Sequence, residues 1–352
     1  MASSFPKYKH PTGRYFINEA FRKPKLMQSM PNPYDHLVAS LKNILDICPP
    51  SVPWTGCFAG GLYFGIFAGP TSIAFLFLWL SKTHPDLAIH GLFPADYCKA
   101  YLSLQQNTYS SEETPRSGCS LNHEFMCYNA VKACLTKDIT YVQKFAENID
   151  KLTLRPTFME LLFGRAGLLS LMRTMKYWFP ESSEILDPEI EKVIQHCLSY
   201  DPWTFGVRPD NQKRFIGASH GDIAIISNIV MTNPAYAPKV QGRLEKILAL
   251  QADNGNWLTC EDEGEDLVQF CHGAPGNAFA LAEPQRSHFL HYATPSLVRA
   301  GLLDGTLEGG SDNSGVWWSE ASRAWGWMMH DYDRAGLGDS VEDIGYPGAT
   351  NP

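Results

Sequence analysis

The chain has 352 residues, of which 44% are hydrophobic and 12% aromatic, and its 29 basic and 37 acidic side chains give a formal net charge of -8. This composition is typical of a globular protein and excludes a disordered, collagen-like or coiled-coil chain. The negative charge, without any run of five Lys or Arg residues, also argues against a nucleic-acid partner.

Residues 1–35 are predicted to form a loose surface arm, because they are polar and rich in proline. They contain no apolar segment behind their charged residues, so we do not expect a secretory signal. Nine cysteines scattered through a chain of this size indicate free thiols in a reducing compartment. The predicted location is the cytoplasm.

The most apolar stretch, Ile66 to Leu80, contains no charged side chain. Hydropathy alone would predict a membrane span. Glycines and Pro70 interrupt the stretch, however, and too few residues follow Pro70 to cross a bilayer. We therefore predict a buried helix that begins at Pro70 and no transmembrane segment, while peripheral association with a membrane stays open.

A theme then recurs about every fifty residues, which is typical of a repeat architecture. Each repeat has a glycine-containing turn followed by an apolar helix, with the glycines at positions 69, 118, 164, 217 and 273. Amphipathic segments between them, at residues 36–48, 188–200 and 239–251, predict outer helices with one solvent-exposed face. Strand patterns are absent, so the expected fold is all-α, a ring of helical hairpins whose inner helices begin at one common mouth.

Two of these turns carry side chains suited to chemistry. Cys271 and His272 stand at the predicted start of an inner helix, where a cysteine thiolate is favoured and could bind zinc or attack a substrate. His220 occupies the equivalent turn of the preceding repeat, and imidazole is the side chain best suited to proton transfer near neutral pH. Taken alone, each residue would be interpreted as part of the core. The two turns occupy matching positions in adjacent repeats, and together they favour a catalytic or metal-binding site.

The segments FGRAGLL, FIGASHG and QFCHGAPGNAFAL, the last preceded by QADNGNW, resemble the lanthionine synthetase C-like family of eukaryotes. The resemblance extends from about residue 50 to residue 303. It implies an α/α toroid, which has seven hairpins in the family; we expect five to six here, within residues 36–303, followed by a divergent tail at 304–352.

The resemblance also implies a chemistry. The family's cyclases hold a zinc ion that binds a thiol, from a peptide cysteine or glutathione, and this thiol adds to a dehydroamino acid to form a thioether. Cys271 matches the first zinc ligand and His220 matches the histidine that transfers the proton. Glu160 stands where the bacterial enzymes have an acidic residue and is the second candidate catalytic residue.

The chain departs from the family after PSLVRAGLL, where the second Cys-His motif is missing and no cysteine follows Cys271. Only one of three zinc ligands is therefore identifiable. Substitutes of the right type exist, but their spacing does not predict a supported tetrahedral site; they are Cys260, His272, His288, His291 and His330. The tail is expected to lack a long apolar helix.

Two alternatives to an active cyclase remain. One is a non-catalytic scaffold that binds glutathione or a peptide. The other is a different α/α-barrel enzyme, such as a glycosidase, for which Glu160 would supply one of two carboxylates. The sequence does not indicate the oligomeric state. The remaining cysteines, including Cys119, Cys127 and Cys134 on one predicted inner helix and Cys197 on an outer one, are expected to be core residues.

Overall fold

The computed structural model describes residues 32–51, 65–104, 118–153, 158–205, 212–251 and 257–261, together with residues 264, 271, 272, 277, 324 and 328. Within these ranges the structure has nine α-helices and no strand beyond isolated bridges, so the predicted all-α class is confirmed. The helices are α1 Pro33–Ile47, α2 Pro70–Thr83, α3 Pro94–Ser103, α4 Glu124–Thr136, α5 Ile139–Thr153, α6 Arg165–Trp178, α7 Ser183–Ser199, α8 Asp222–Thr232 and α9 Ala237–Ala249.

The helices form an inner and an outer row. Helices α2, α4, α6 and α8 pack side by side in chain order, and each also packs against the helix that follows it in the chain. The inner helices are buried nearly all round; in α6 every residue from Arg165 to Met175 is buried. The outer helix α9 buries only Val240 and Ile247. This division of apolar faces is what the repeated sequence pattern predicts.

Helix α2 confirms the interpretation of the most apolar stretch. It begins at Pro70, directly after Gly69 with its positive φ of 113°, and every residue from Pro70 to Leu80 is buried. Proline suits the first position of a helix because its missing N–H would have no partner there. None of the helices described is long and apolar enough to cross a membrane.

Backbone hydrogen bonds connect the turns that precede the inner helices. They run from Ile66 N–H to the Leu121 carbonyl at 2.8 Å, from Cys119 N–H to the Phe163 carbonyl at 2.8 Å, and from Leu161 N–H to the Ser219 carbonyl at 3.0 Å. The buried carboxylate of Glu124 adds a further link, because it accepts from Gly65 N–H at 2.6 Å and from the Thr71 hydroxyl. The inner helices therefore begin at one end of the fold.

Two details differ from the sequence predictions. Cys119 lies in the turn before α4 rather than on that helix, although Cys119, Cys127 and Cys134 are all buried as expected. Helix α1 begins at Pro33, inside the predicted arm. In the tail, Ala324 and Met328 are helical and buried in the hydrophobic core; the remaining tail residues, on which the prediction depends, lie outside the described part of the chain.

The eight cysteines in the described part of the chain are free thiols. Seven of them are buried, including Cys197 on α7, and Cys271 is half-buried. Burial raises the pKa of Cys98 and holds it far above neutrality, and it raises those of Cys119, Cys134 and Cys197 to about 12. These thiols are therefore protonated core residues, as the sequence analysis expected.

Candidate functional site

Glu160 lies in the turn before α6 and is only 2% exposed. Its carboxylate accepts hydrogen bonds from Leu162 N–H at 2.9 Å and from Phe163 N–H. The same carboxylate contacts His220 Nδ1 at 2.8 Å, although His220 lies sixty residues further along the chain. The structure thus brings together the two residues that the sequence proposed for proton chemistry.

His220 belongs to the turn before α8, and its side chain is 19% exposed. Because Nδ1 faces the Glu160 carboxylate, we assign the ring proton to Nδ1, which leaves Nε2 as the nitrogen that can accept a proton. A carboxylate that fixes the tautomer and orientation of a histidine in this way is a common arrangement for acid–base catalysis.

An aromatic cluster surrounds the His220 ring. Ring centroids lie 4.6 Å away for Phe205, 5.9 Å for Phe215 and 6.2 Å for Phe163, and Phe158 contacts both Phe205 and Phe163. All four phenylalanines are half-buried, and we call them the aromatic box. The box gives the imidazole surroundings of low polarity, and electrostatic interactions are stronger in such surroundings.

Cys271 and His272 pack against the turn that holds His220. The His272 ring lies 6.0 Å from the His220 ring, and a Cβ built on Gly217 would lie 2.3 Å from the Cys271 carbonyl oxygen. Burial, followed by the charge of His220, lowers the pKa of His272 to about 4. Among the described residues, its Nδ1 is buried without a hydrogen-bond partner.

The expected thiolate at Cys271 is not supported by its surroundings. Burial raises the pKa of the Cys271 thiol, and backbone amides of Cys271 and His272 offset this only in part. The sequence analysis considered the helix N-terminus alone, whereas desolvation is the larger effect here.

The donor atoms for a metal ion are few in the described part of the chain. No group of three or more His, Cys, Asp or Glu side chains there could hold a metal. Cys260 is buried beside the Thr259 hydroxyl, while His288, His291 and His330 lie outside the described residues. Cys271 and His272 alone do not supply the three protein ligands of a catalytic zinc site.

The sequence matches the profile of lanthionine synthetase C-like proteins over residues 66–291. This range covers most of the chain and includes the helices α2 to α9, the Glu160–His220 pair and Cys271. The chain belongs to the lanthionine synthetase C-like family. The helical architecture agrees with the toroid of that family, which is generally zinc-binding.

In this lanthionine synthetase C-like chain a cleft is lined in part by Phe215, whose ring also contacts the His220 ring. The Arg243 guanidinium lies 3.7 Å above the Trp203 ring and donates to the Tyr200 carbonyl at 2.9 Å. The other side chains that line the cleft include Asp222 at the start of α8, Lys246 and Ile247. No local sequence pattern signals this cleft, because its residues come from five separate stretches of the chain.

Asp222 makes stability depend on pH. Burial raises its pKa to about 7; Arg243 and Arg214 lower the pKa, while Glu261 and Asp201 raise it further. The folded state therefore binds a proton that the unfolded state, with an ordinary aspartate pKa of about 3.9, releases earlier. As pH rises from about 4 to 7, this contribution to the free energy of unfolding is lost.

We expect Asp222→Asn to be more stable than the wild type at pH 8, by on the order of 2 kcal/mol, with the difference shrinking at pH 5. Urea unfolding at both values measures it. The exposed Asp86 provides the matched control, since Asp86→Asn should show no such dependence on pH. An Asp222→Asn advantage of equal size at both values would contradict the assignment.

Two glycines provide a matched test of the turn packing. Gly217 approaches Cys271 closely, so Gly217→Ala should lower the free energy of unfolding by about 1–3 kcal/mol. Gly242 is exposed inside α9 and has nothing within 4 Å of its Cβ position, so Gly242→Ala should raise it by about 0.5–1 kcal/mol. Chemical denaturation of both variants measures the difference, and an equal effect would show that Cys271 does not pack on this turn.

Proposed function

We propose that this chain adds a thiol, from a peptide cysteine or glutathione, to a dehydroamino acid residue and so forms a thioether. The observation that carries the proposal is the 2.8 Å contact between Glu160 and His220, made in the turns that begin neighbouring inner helices. Family membership supplies the reaction class, and this pair of residues supplies a group able to move the proton that the reaction requires.

The proposed reaction needs one proton transfer in each direction. His220 Nε2 takes the proton of the thiol, and the sulfur forms a bond with Cβ of the dehydroamino acid. The electron pair of the double bond moves to Cα, which takes the proton back from Nε2. Glu160 is a positioning residue: it holds the Nδ1–H and stabilises the imidazolium that forms between the two transfers.

In this family a zinc ion activates the thiol, and Cys271 matches the first zinc ligand. The donors described here do not complete such a site, so no step above is assigned to a metal. Because the sequence has no second Cys-His motif and no cysteine after Cys271, we expect less than one zinc per purified full-length chain. About one zinc per chain that disappears in Cys271→Ala would contradict this expectation and assign the missing ligands to the rest of the chain.

The alternative is a scaffold that binds a peptide or glutathione without turnover. The loss of the family's second Cys-His motif from the sequence favours it. A scaffold and an enzyme differ in one respect that can be measured directly, which is whether the covalent product accumulates faster than in the absence of protein.

The test uses the full-length protein with a synthetic peptide that contains one dehydroalanine, and either glutathione or a cysteine peptide as the donor. Mass spectrometry follows the adduct over time against a reaction without protein. Our proposal expects a rate well above the background that saturates with peptide concentration. A background rate together with measurable binding of either reactant would identify the scaffold instead.

A further inference from the structure

The aromatic box is separate from the apolar packing that holds the fold together. Phe158, Phe163, Phe205 and Phe215 belong neither to the buried core nor to the half-buried side chains packed against it in the described part of the chain. They come from two connections: Phe158 and Phe163 precede α6, while Phe205 and Phe215 lie between α7 and α8. Packing between the helical rows therefore does not explain why these four positions hold phenylalanine.

The four rings nevertheless form one connected surface. Phe205 is central, with ring centroids 5.2 Å from Phe158, 5.7 Å from Phe215 and 6.3 Å from Phe163. All four residues are half-buried, and the His220 ring contacts three of them. Half-buried apolar side chains that contact one another beside a polar group able to react, as the four phenylalanines do beside His220, are typical of a binding site.

We infer that the aromatic box binds a large apolar side chain of a peptide substrate, next to the residue that reacts at His220. This inference rests on the proposed function for the position of the reacting residue. Apart from its thiol, glutathione carries only polar groups and offers nothing to four phenylalanines. The occupant that matches the box is a phenylalanine or leucine side chain, since aromatic rings pack favourably at the distances found here.

The experiment measures binding without reaction. The probes are the labelled peptides acetyl-Gly-Xaa-Ala-Gly with Xaa as Phe, Leu or Ser, in which alanine replaces the dehydroalanine, and fluorescence anisotropy gives their affinities for the full-length protein. We expect the Phe peptide to bind at least about tenfold more tightly than the Ser peptide, as transfer of an apolar side chain from water predicts.

Substitutions in the aromatic box test whether the box is the source of the preference for the Phe peptide over the Ser peptide. Phe205→Ser and Phe215→Ser should reduce it to about twofold or less, and Phe205→Leu, which keeps apolar packing and so protects the fold, should reduce it by about threefold. Phe93 is exposed at the start of α3 and lies outside the box, so Phe93→Ser should keep the full preference. Equal affinities for the three peptides, or a preference that all the box variants retain, would overturn the inference.

These outcomes are separate from those of the proposed reaction. A preference lost only in the box variants, without any thiol addition by the wild type, would support the binding surface while refuting the reaction. Thiol addition with equal affinity for the three peptides would refute the binding surface alone and would indicate that the chain itself covers the rings.

Discussion

Replacing His220 by asparagine is expected to lower the rate of thiol addition about 100- to 10,000-fold, which is the usual contribution of a positioned acid–base group. Asparagine keeps a polar side chain of similar size but has no nitrogen that can accept and return a proton. Because the imidazole makes one hydrogen bond within the described part of the chain, the fold should persist. Single-turnover kinetics with the dehydroalanine peptide measure the effect.

His196 on α7 provides a matched control. His196 lies on an outer helix, where its imidazole stacks on the Tyr200 ring rather than on the aromatic box. His196→Asn should therefore leave the rate of thiol addition unchanged. Peptide binding by His220→Asn should also remain within about threefold of the wild type, since the substitution removes proton transfer rather than the aromatic box. A full rate in His220→Asn would remove this residue from the mechanism.

Replacing Glu160 by alanine should affect both stability and rate. Three donors, the amides of Leu162 and Phe163 and Nδ1–H of His220, would lose their acceptor in a buried turn. A fully buried donor left without a partner costs about 1–3 kcal/mol. Only the Leu162 amide is fully buried, while the Phe163 and His220 donors are part-buried and can reach water, so the free energy of unfolding should fall by about 2–5 kcal/mol. The rate should fall about 100-fold or more, because the imidazole loses the group that fixes its tautomer.

The control for this variant is Glu147→Ala on the exposed face of α5, which should change stability by less than about 0.5 kcal/mol. Urea unfolding gives the stability of both variants, and the rate is measured at a temperature where Glu160→Ala is folded. An activity profile against pH that has the same shape in Glu160→Ala and in the wild type would argue against a positioning role.

The fold was largely predictable because the repeats are local patterns. Pro70 and the glycine turns mark helix starts from neighbouring residues alone, and the apolar content separates inner helices from outer ones. The start of α4 was harder to place, since the turn from Gly118 to His123 is long and Cys119 happens to stand at helical spacing from Cys127. Tertiary hydrogen bonds to Phe163 keep Cys119 outside the helix.

The site was only partly predictable. Resemblance to the family pointed separately to Glu160 and His220, but their contact depends on how adjacent turns pack, which no local pattern encodes. The aromatic box is assembled from the segment before α6 and the connection between α7 and α8, so sequence spacing gave no signal for it. The ionisation of Cys271 depends on how deeply it is buried, and burial of a loop residue follows from packing rather than from its position before a helix.

The central claim is that His220 delivers a proton to Cα of the substrate, and the configuration of the product tests this most directly. Addition to dehydroalanine creates a stereocentre at Cα, so a fixed proton donor gives one configuration and free addition in water gives both. We predict that chiral chromatography of the hydrolysed thioether will show a single configuration for the wild type and a mixture for His220→Asn. An equal mixture from both proteins, formed at the background rate, would contradict the proposed chemistry.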